Sequence, residues 1–177
     1  VLAAIPYRDR LSQIDALSAK LARRFGAAPR GAWLTERVWE SSVVPALARC
    51  GIRYATVDDY HFLCAGRAQH ELDRHFTTEE DGHTLDIFPI SEALRYRIPF
   101  ATAGDAVAYL ESLAVAGRQA AAIYFDDIEK LGVWPETHEW VYGKRWLREF
   151  VERVLASPQI RTSTCADHHA AERTGGI

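Results

Sequence analysis

Three short apolar runs in this chain each end in carboxylates, and this feature restricts the fold more than any other. Gly31 to Leu34 leads into Thr35-Glu36, Arg53 to Val57 into Asp58-Asp59, and Ala120 to Phe125 into Asp126-Asp127. The runs show no polar–apolar alternation, as expected of strands covered on both faces. Helical patterns separate them. Residues 8–25 place Leu11, Ile14, Leu17, Ala22 and Phe25 near one face, and Gly26 is the stop signal. Residues 42–50 read as a helix with Pro45 in its first turn and Gly51 as its cap. Residues 102–113 and 140–155 read as two further helices, and Ile160 is expected to open a last short strand. Between 76 and 88, Asp81-Gly82 predicts the turn of a hairpin. The alternation predicts an α/β fold with parallel strands.

In a parallel sheet the C-terminal strand ends share one edge, and ligands bind there. A single Asp at a strand end commonly caps the next element, but three acid-tipped strands predict a cleft. Aromatic rings lie close by in sequence: Trp33, Trp39, Tyr60, Trp134 and Trp140, with His61 next to Tyr60. Trp33 and Trp134, near Glu36 and Asp127, are assigned to the cleft, and Trp140 and Trp146 to the core. Rings beside carboxylates suit a sugar, which has an apolar face and a polar rim. A glycosidic bond is cleaved by two carboxyl groups, one attacking or activating water and the other protonating the leaving oxygen. The donor must hold its proton near neutral pH, which a like charge and an apolar neighbour both favour. Asp127 is flanked by Asp126 and Ile128.

The composition of the 177 residues, 48% hydrophobic and 25% charged, is that of an ordinary globular chain. A net charge of −3 with scattered Lys and Arg argues against a nucleic-acid or membrane-surface partner. No apolar run reaches membrane-spanning length and no signal peptide is visible, so a cytoplasmic location is expected. Cys50, Cys64 and Cys165 are odd in number and far apart, which argues against a disulfide framework. No Cys/His spacing predicts a metal site, and His168-His169 near Cys165 read as an exposed polar tail.

Four stretches, GAWLTERVWE (31–40), VDDYHFLCAG (57–66), FPISEALRYRIPF (88–100) and YFDDIEKLGVWPETHEWVYGKRWL (124–147), resemble glycoside hydrolase family 57, in order and with similar spacing. Within it they are most similar to the 4-α-glucanotransferase and α-amylase branch. The resemblance implies part of a distorted (β/α)7 barrel acting on α-1,4-glucans or maltooligosaccharides with retention, without metal or organic cofactor. It implies Glu36 as nucleophile and Asp127 as acid/base. Trp33, Glu129 and Trp134 match positions lining the sugar site, and Asp59, Tyr60 and His61 match a motif near it.

The chain departs from the family pattern at Ile128, where the family has Gly, and at Leu131, where it has Phe. The family's early HQP motif is also absent, so residues 1–177 are expected to be a partial catalytic barrel. Its unpaired sheet edge would be covered by missing sequence or by a second copy in a homo-oligomer. Rival readings are a truncated, non-catalytic glucan-binding module and a metal-dependent deacetylase on a related barrel. The second lacks a convincing His/Asp triad.

Overall fold

A computed structural model of the chain describes residues 2–35, 37–114 and 119–176. They form two compact units, residues 1–89 with 164–177, and residues 90–163.

The first unit opens with helix α1 (Tyr7–Phe25), closed by Gly26 in a left-handed conformation. Of the apolar face expected there, Ile14 packs on the core, whereas Leu17 is 58% and Phe25 74% exposed. Strand β1 (Gly31–Trp33) follows, then a single 3₁₀ turn and α2 (Val44–Arg49), with Pro45 in its first turn as predicted. Proline fits there because its missing N–H would be unpaired anyway. Gly51 takes φ 80° just past the helix and its N–H bonds the Ala48 carbonyl.

Strand β2 (Tyr54–Asp58) runs parallel to β1, Gly31 opposite Tyr54 and Trp33 opposite Thr56. A Cβ at residue 31 would lie 2.1 Å from the Tyr54 ring, so glycine is needed for this close approach. Helix α3 (Asp59–Cys64) follows directly. Strands β3 (Phe76–Glu80) and β4 (His83–Ile90) form the predicted hairpin. Asp81 at φ 51° and Gly82 at φ 74° give the double positive-φ turn that matches strand twist. The sheet order is β1-β2-β4-β3. The α/β expectation therefore holds, but the sheet is mixed rather than all parallel. Val43, Val44, Leu47, Ile52, Ala55 and Leu85 form one core cluster, and Val57, Phe62, Leu72 and Phe76 another.

In the second unit, α4 (Glu92–Arg97) is capped by the Ser91 hydroxyl, which accepts from the Leu94 N–H, and α5 (Ala103–Ser112) by that of Thr102. The strand expected over 120–125 does not form among the described residues. A strand needs a ladder of backbone bonds, and the backbone bond made here is the one from Ser91 N–H to the Ile123 carbonyl, 2.9 Å. The expected helix 140–155 is broken. A π-type turn spans Glu139–Gly143, Arg145 takes φ 61°, and α6 covers Trp146–Ala156. Trp146 is 2% exposed, stacks on Phe150 and bonds the Ala101 carbonyl, a core role as expected.

Ile160 opens no strand. Instead α7 (Cys165–Ala171), part of the first unit, carries His168 and His169. Both are half-buried, which corrects the reading of an exposed tail; the short helix is capped by Thr164 and packs its histidines on rings of the sheet. Residues after it lie along edge strand β3: Gly175 N–H bonds the His75 carbonyl and Thr77 N–H the Gly176 carbonyl. Among the described residues no helix is long and apolar enough to cross a membrane.

Candidate functional site

The doubled acids at the two chain segments divide their labour. Asp126 has a fully buried side chain, paired with Lys130 one helical turn on and with Arg95, whose Nε lies 3.5 Å from Oδ2. Lys130 is 5% exposed, and its ammonium also donates to the Arg95 carbonyl at 3.0 Å. The Asp127 N–H donates to Asp126 Oδ1 at 2.9 Å. Asp126 is thus an anchor that fixes the backbone from which the half-buried Asp127 projects. Two cations pair with the Asp126 carboxylate, and Ile128 stands 78% exposed. Burial, then the Asp126 carboxylate, push the nearby Tyr124 hydroxyl up to about 12.

Beyond the anchor lies an aromatic pair. Trp134, 41% exposed, stacks on Phe100, 48% exposed, with ring centroids 6.2 Å apart. The Lys130 ammonium sits 5.4 Å from the Phe100 ring and 5.7 Å from the Trp134 ring. One cation therefore joins the acid anchor to an exposed ring surface. Glu129, next to Lys130 on a short 3₁₀ turn, is exposed.

In the first unit Glu36 lies outside the described residues. Its successor Arg37 takes φ 56°, uncommon for a residue with a side chain. Three contacts hold it. Its N–H bonds the Leu34 carbonyl at 2.8 Å, its carbonyl lies 3.0 Å from His61 Nε2, and its Nε lies 3.8 Å from Asp58 Oδ1. The loop after β1 is tied to the β2–α3 junction. Strain of this kind persists where surroundings over-determine it, and it clusters at functional sites.

The remaining predicted residues are distributed around that junction. Asp59 is 5% exposed at the start of α3, while Tyr60 is 64% exposed and its ring meets that of His61 edge-on. A hydrogen bond with the Cys64 thiol raises the Tyr60 hydroxyl above its ordinary range. Trp33 is half-buried at the end of β1. The structure brings His61 to the Arg37 turn and Trp134 to the Asp126 anchor. Sequence reasoning missed Arg95, Lys130 and Phe100. Lys130 follows Asp126 at helical spacing, a readable signal; Arg95 and Phe100 are near only through folding.

The model of Glycosyl hydrolase family 57 matches residues 1–177. A 4-alpha-glucanotransferase of Thermococcus litoralis is 46% identical over 168 residues, covering 95% of this chain and 25% of that protein. An alpha-amylase of Pyrococcus abyssi is 48% identical over 160 residues, covering 90% and 24%. The crystal structure of the T. litoralis 4-alpha-glucanotransferase superposes with a TM-score of 0.95 at 45% identity, over 99% of this chain and 28% of that one. An alpha-amylase structure from Thermotoga maritima, 16% identical, shares the fold at a TM-score of 0.73. The chain spans about a quarter of the length of the curated relatives it matches.

Proposed function

The chain belongs to Glycosyl hydrolase family 57, and from that premise we propose that residues 1–177 are part of the catalytic barrel of a retaining enzyme acting on α-1,4-glucans. The sheet and its helices are read as a portion of a distorted (β/α)7 barrel. Glu36 attacks the anomeric carbon while Asp127 protonates the departing glycosidic oxygen. Asp127 then takes a proton from the acceptor as it displaces Glu36. A sugar hydroxyl as acceptor gives transfer, and water gives hydrolysis. Retention calls for two carboxyl groups roughly 5–5.5 Å apart.

The observation that carries the proposal is the Asp126–Lys130–Arg95 cluster beneath Asp127. A buried carboxylate held by two cations makes a rigid base for a residue whose position must be accurate. The Arg37 turn gives similar support to the backbone beside Glu36. Trp134 offers a ring face to a sugar, and Trp33, Asp59, Tyr60, His61 and Glu129 are read as its polar and apolar surroundings. Transfer is read ahead of hydrolysis because the stretch FPISEALRYRIPF (88–100) resembles the transferase branch.

The test is incubation of the native protein with maltotriose. Transfer yields longer oligosaccharides, hydrolysis yields reducing ends alone, and Asp127→Asn should lower either rate by 10²–10⁴-fold, the usual share of general acid–base catalysis. Unchanged turnover in Asp127→Asn refutes the assignment. Glucan binding without turnover, insensitive to both acids, supports the binding-module reading instead.

A further inference from the structure

Antiparallel pairing puts Asp86 of β4 opposite Thr77 of β3. Residues two apart on a strand point to the same face, so His75, just before β3, lies on the face that carries Thr77 and Asp86. The short helix α7 sets His169 over this face, its ring centroid 5.1 Å from that of His75. One ligand atom from each of His75, Asp86 and His169 falls within 4.8 Å of the others. We propose that these three side chains bind a divalent cation of the zinc class, which pins α7 to the β3–β4 hairpin.

The donor set selects the cation. Two imidazoles and one carboxylate suit a borderline metal such as zinc. Calcium takes six to eight oxygen ligands and magnesium an oxygen octahedron, which two nitrogens do not supply. The fourth position of a tetrahedral ion is left to water.

His75 is 3% exposed, and its Nδ1 has no hydrogen-bond partner among the described residues. Burying such an atom without a partner is costly, and a metal bond through Nδ1 would satisfy it. His169 Nε2 lies 2.6 Å from Asp86 Oδ2. Two ligands of one tetrahedral zinc, each about 2.0–2.1 Å from the ion, stand about 3.4 Å apart. Seating the ion therefore replaces that hydrogen bond and widens the gap by about 0.8 Å.

The supporting residues match what metal sites use. The Thr77 hydroxyl donates to Asp86 Oδ1 at 2.7 Å, orienting the carboxylate. Phe88, 1% exposed, lines the same face, its ring 5.2 Å from that of His75, and the Tyr54 ring lies 5.1 Å from that of His169. These rings limit solvent access to the site and lower the local dielectric. Sequence spacing gave no hint, since positions 75, 86 and 169 meet only through the hairpin and α7.

The test is titration of metal-stripped full chain with Zn²⁺ by calorimetry, and with Co²⁺ by visible absorption. One equivalent of Zn²⁺ should bind and raise the melting temperature, and Co²⁺ should give the intense bands of a four-coordinate site. His169→Ala and Asp86→Asn should each weaken binding by more than about a hundredfold, since loss of an outer partner alone costs 10–100-fold. Thr77→Val should weaken it within that range while keeping the Co²⁺ spectrum. The metal-free melting temperature of each variant verifies that it is folded. If His75→Ala does not fold, the two other ligand variants carry the test. Absence of binding below millimolar Zn²⁺, or binding unchanged in folded His169→Ala and Asp86→Asn, overturns the proposal.

Discussion

Replacing Lys130 with methionine keeps a long apolar stem and removes the ammonium that pairs with Asp126. The Asp126 side chain is fully buried, and Lys130 itself is 5% exposed. Removing one member of a buried ion pair costs roughly 3–5 kcal/mol, because a charge is left without compensation. Arg95 stays, with Nε 3.5 Å from the same oxygen, so the low end applies, about 3 kcal/mol. For a chain of this size that is a fall in melting temperature of about 6–12 °C. Urea unfolding followed by circular dichroism measures the free energy directly. The double variant Asp126→Asn with Lys130→Met removes both charges, and its cost should fall short of the summed single costs by at least about 1 kcal/mol. A Lys130→Met penalty under about 1 kcal/mol, or strict additivity in the cycle, would refute the claim that Asp126 is an anchor.

Other outcomes follow from the same contacts. His61→Ala removes the imidazole from the Arg37 carbonyl and should lower kcat on maltooligosaccharides by ten- to a hundredfold through misplacement of the adjacent residue, with an unfolding midpoint close to the parent's; unchanged kcat counts against the clamp. Gly31→Ala puts a Cβ 2.1 Å from the Tyr54 ring and should destabilise the chain by about 1–3 kcal/mol in urea. Tyr124 is raised to about 12 by burial and Asp126, so the folded state keeps a proton that the unfolded state loses near pH 10. Its contribution is whole below pH 10 and is lost as pH rises through about 12. Tyr124→Phe should flatten the decline of stability across that window, and an unaltered slope would count against it.

Much of the fold was legible because local chemistry agreed with tertiary structure. Asp81-Gly82 can adopt two positive φ values in succession, so the hairpin was readable from two residues. Pro45 and Gly51 marked the ends of α2 for equally local reasons. The 120–125 run failed as a strand because apolar character predicts burial, and Ile123 is indeed 6% exposed, whereas ladder bonding depends on a neighbour the run does not contain. The break at 143–145 was missed because Arg145, a good helix former by composition, sits at φ 61°. At the candidate site the acids were visible as the ends of apolar runs, and Trp134 as a ring close to Asp127 in sequence. The partners that explain the doubled aspartates were less so, since Arg95 is thirty-one positions away from Asp126 and meets it only in the folded unit. Asp58 shows the same pattern, with Arg37 as its partner.

The central claim is that Glu36 forms the covalent bond to the sugar. The direct measurement is labelling of the native protein with a 2-deoxy-2-fluoro maltosyl fluoride, followed by peptide mass spectrometry. One maltosyl adduct on the peptide containing Glu36, abolished by Glu36→Gln, is the predicted result. An adduct on another carboxylate, or inactivation that persists in Glu36→Gln, would contradict the account.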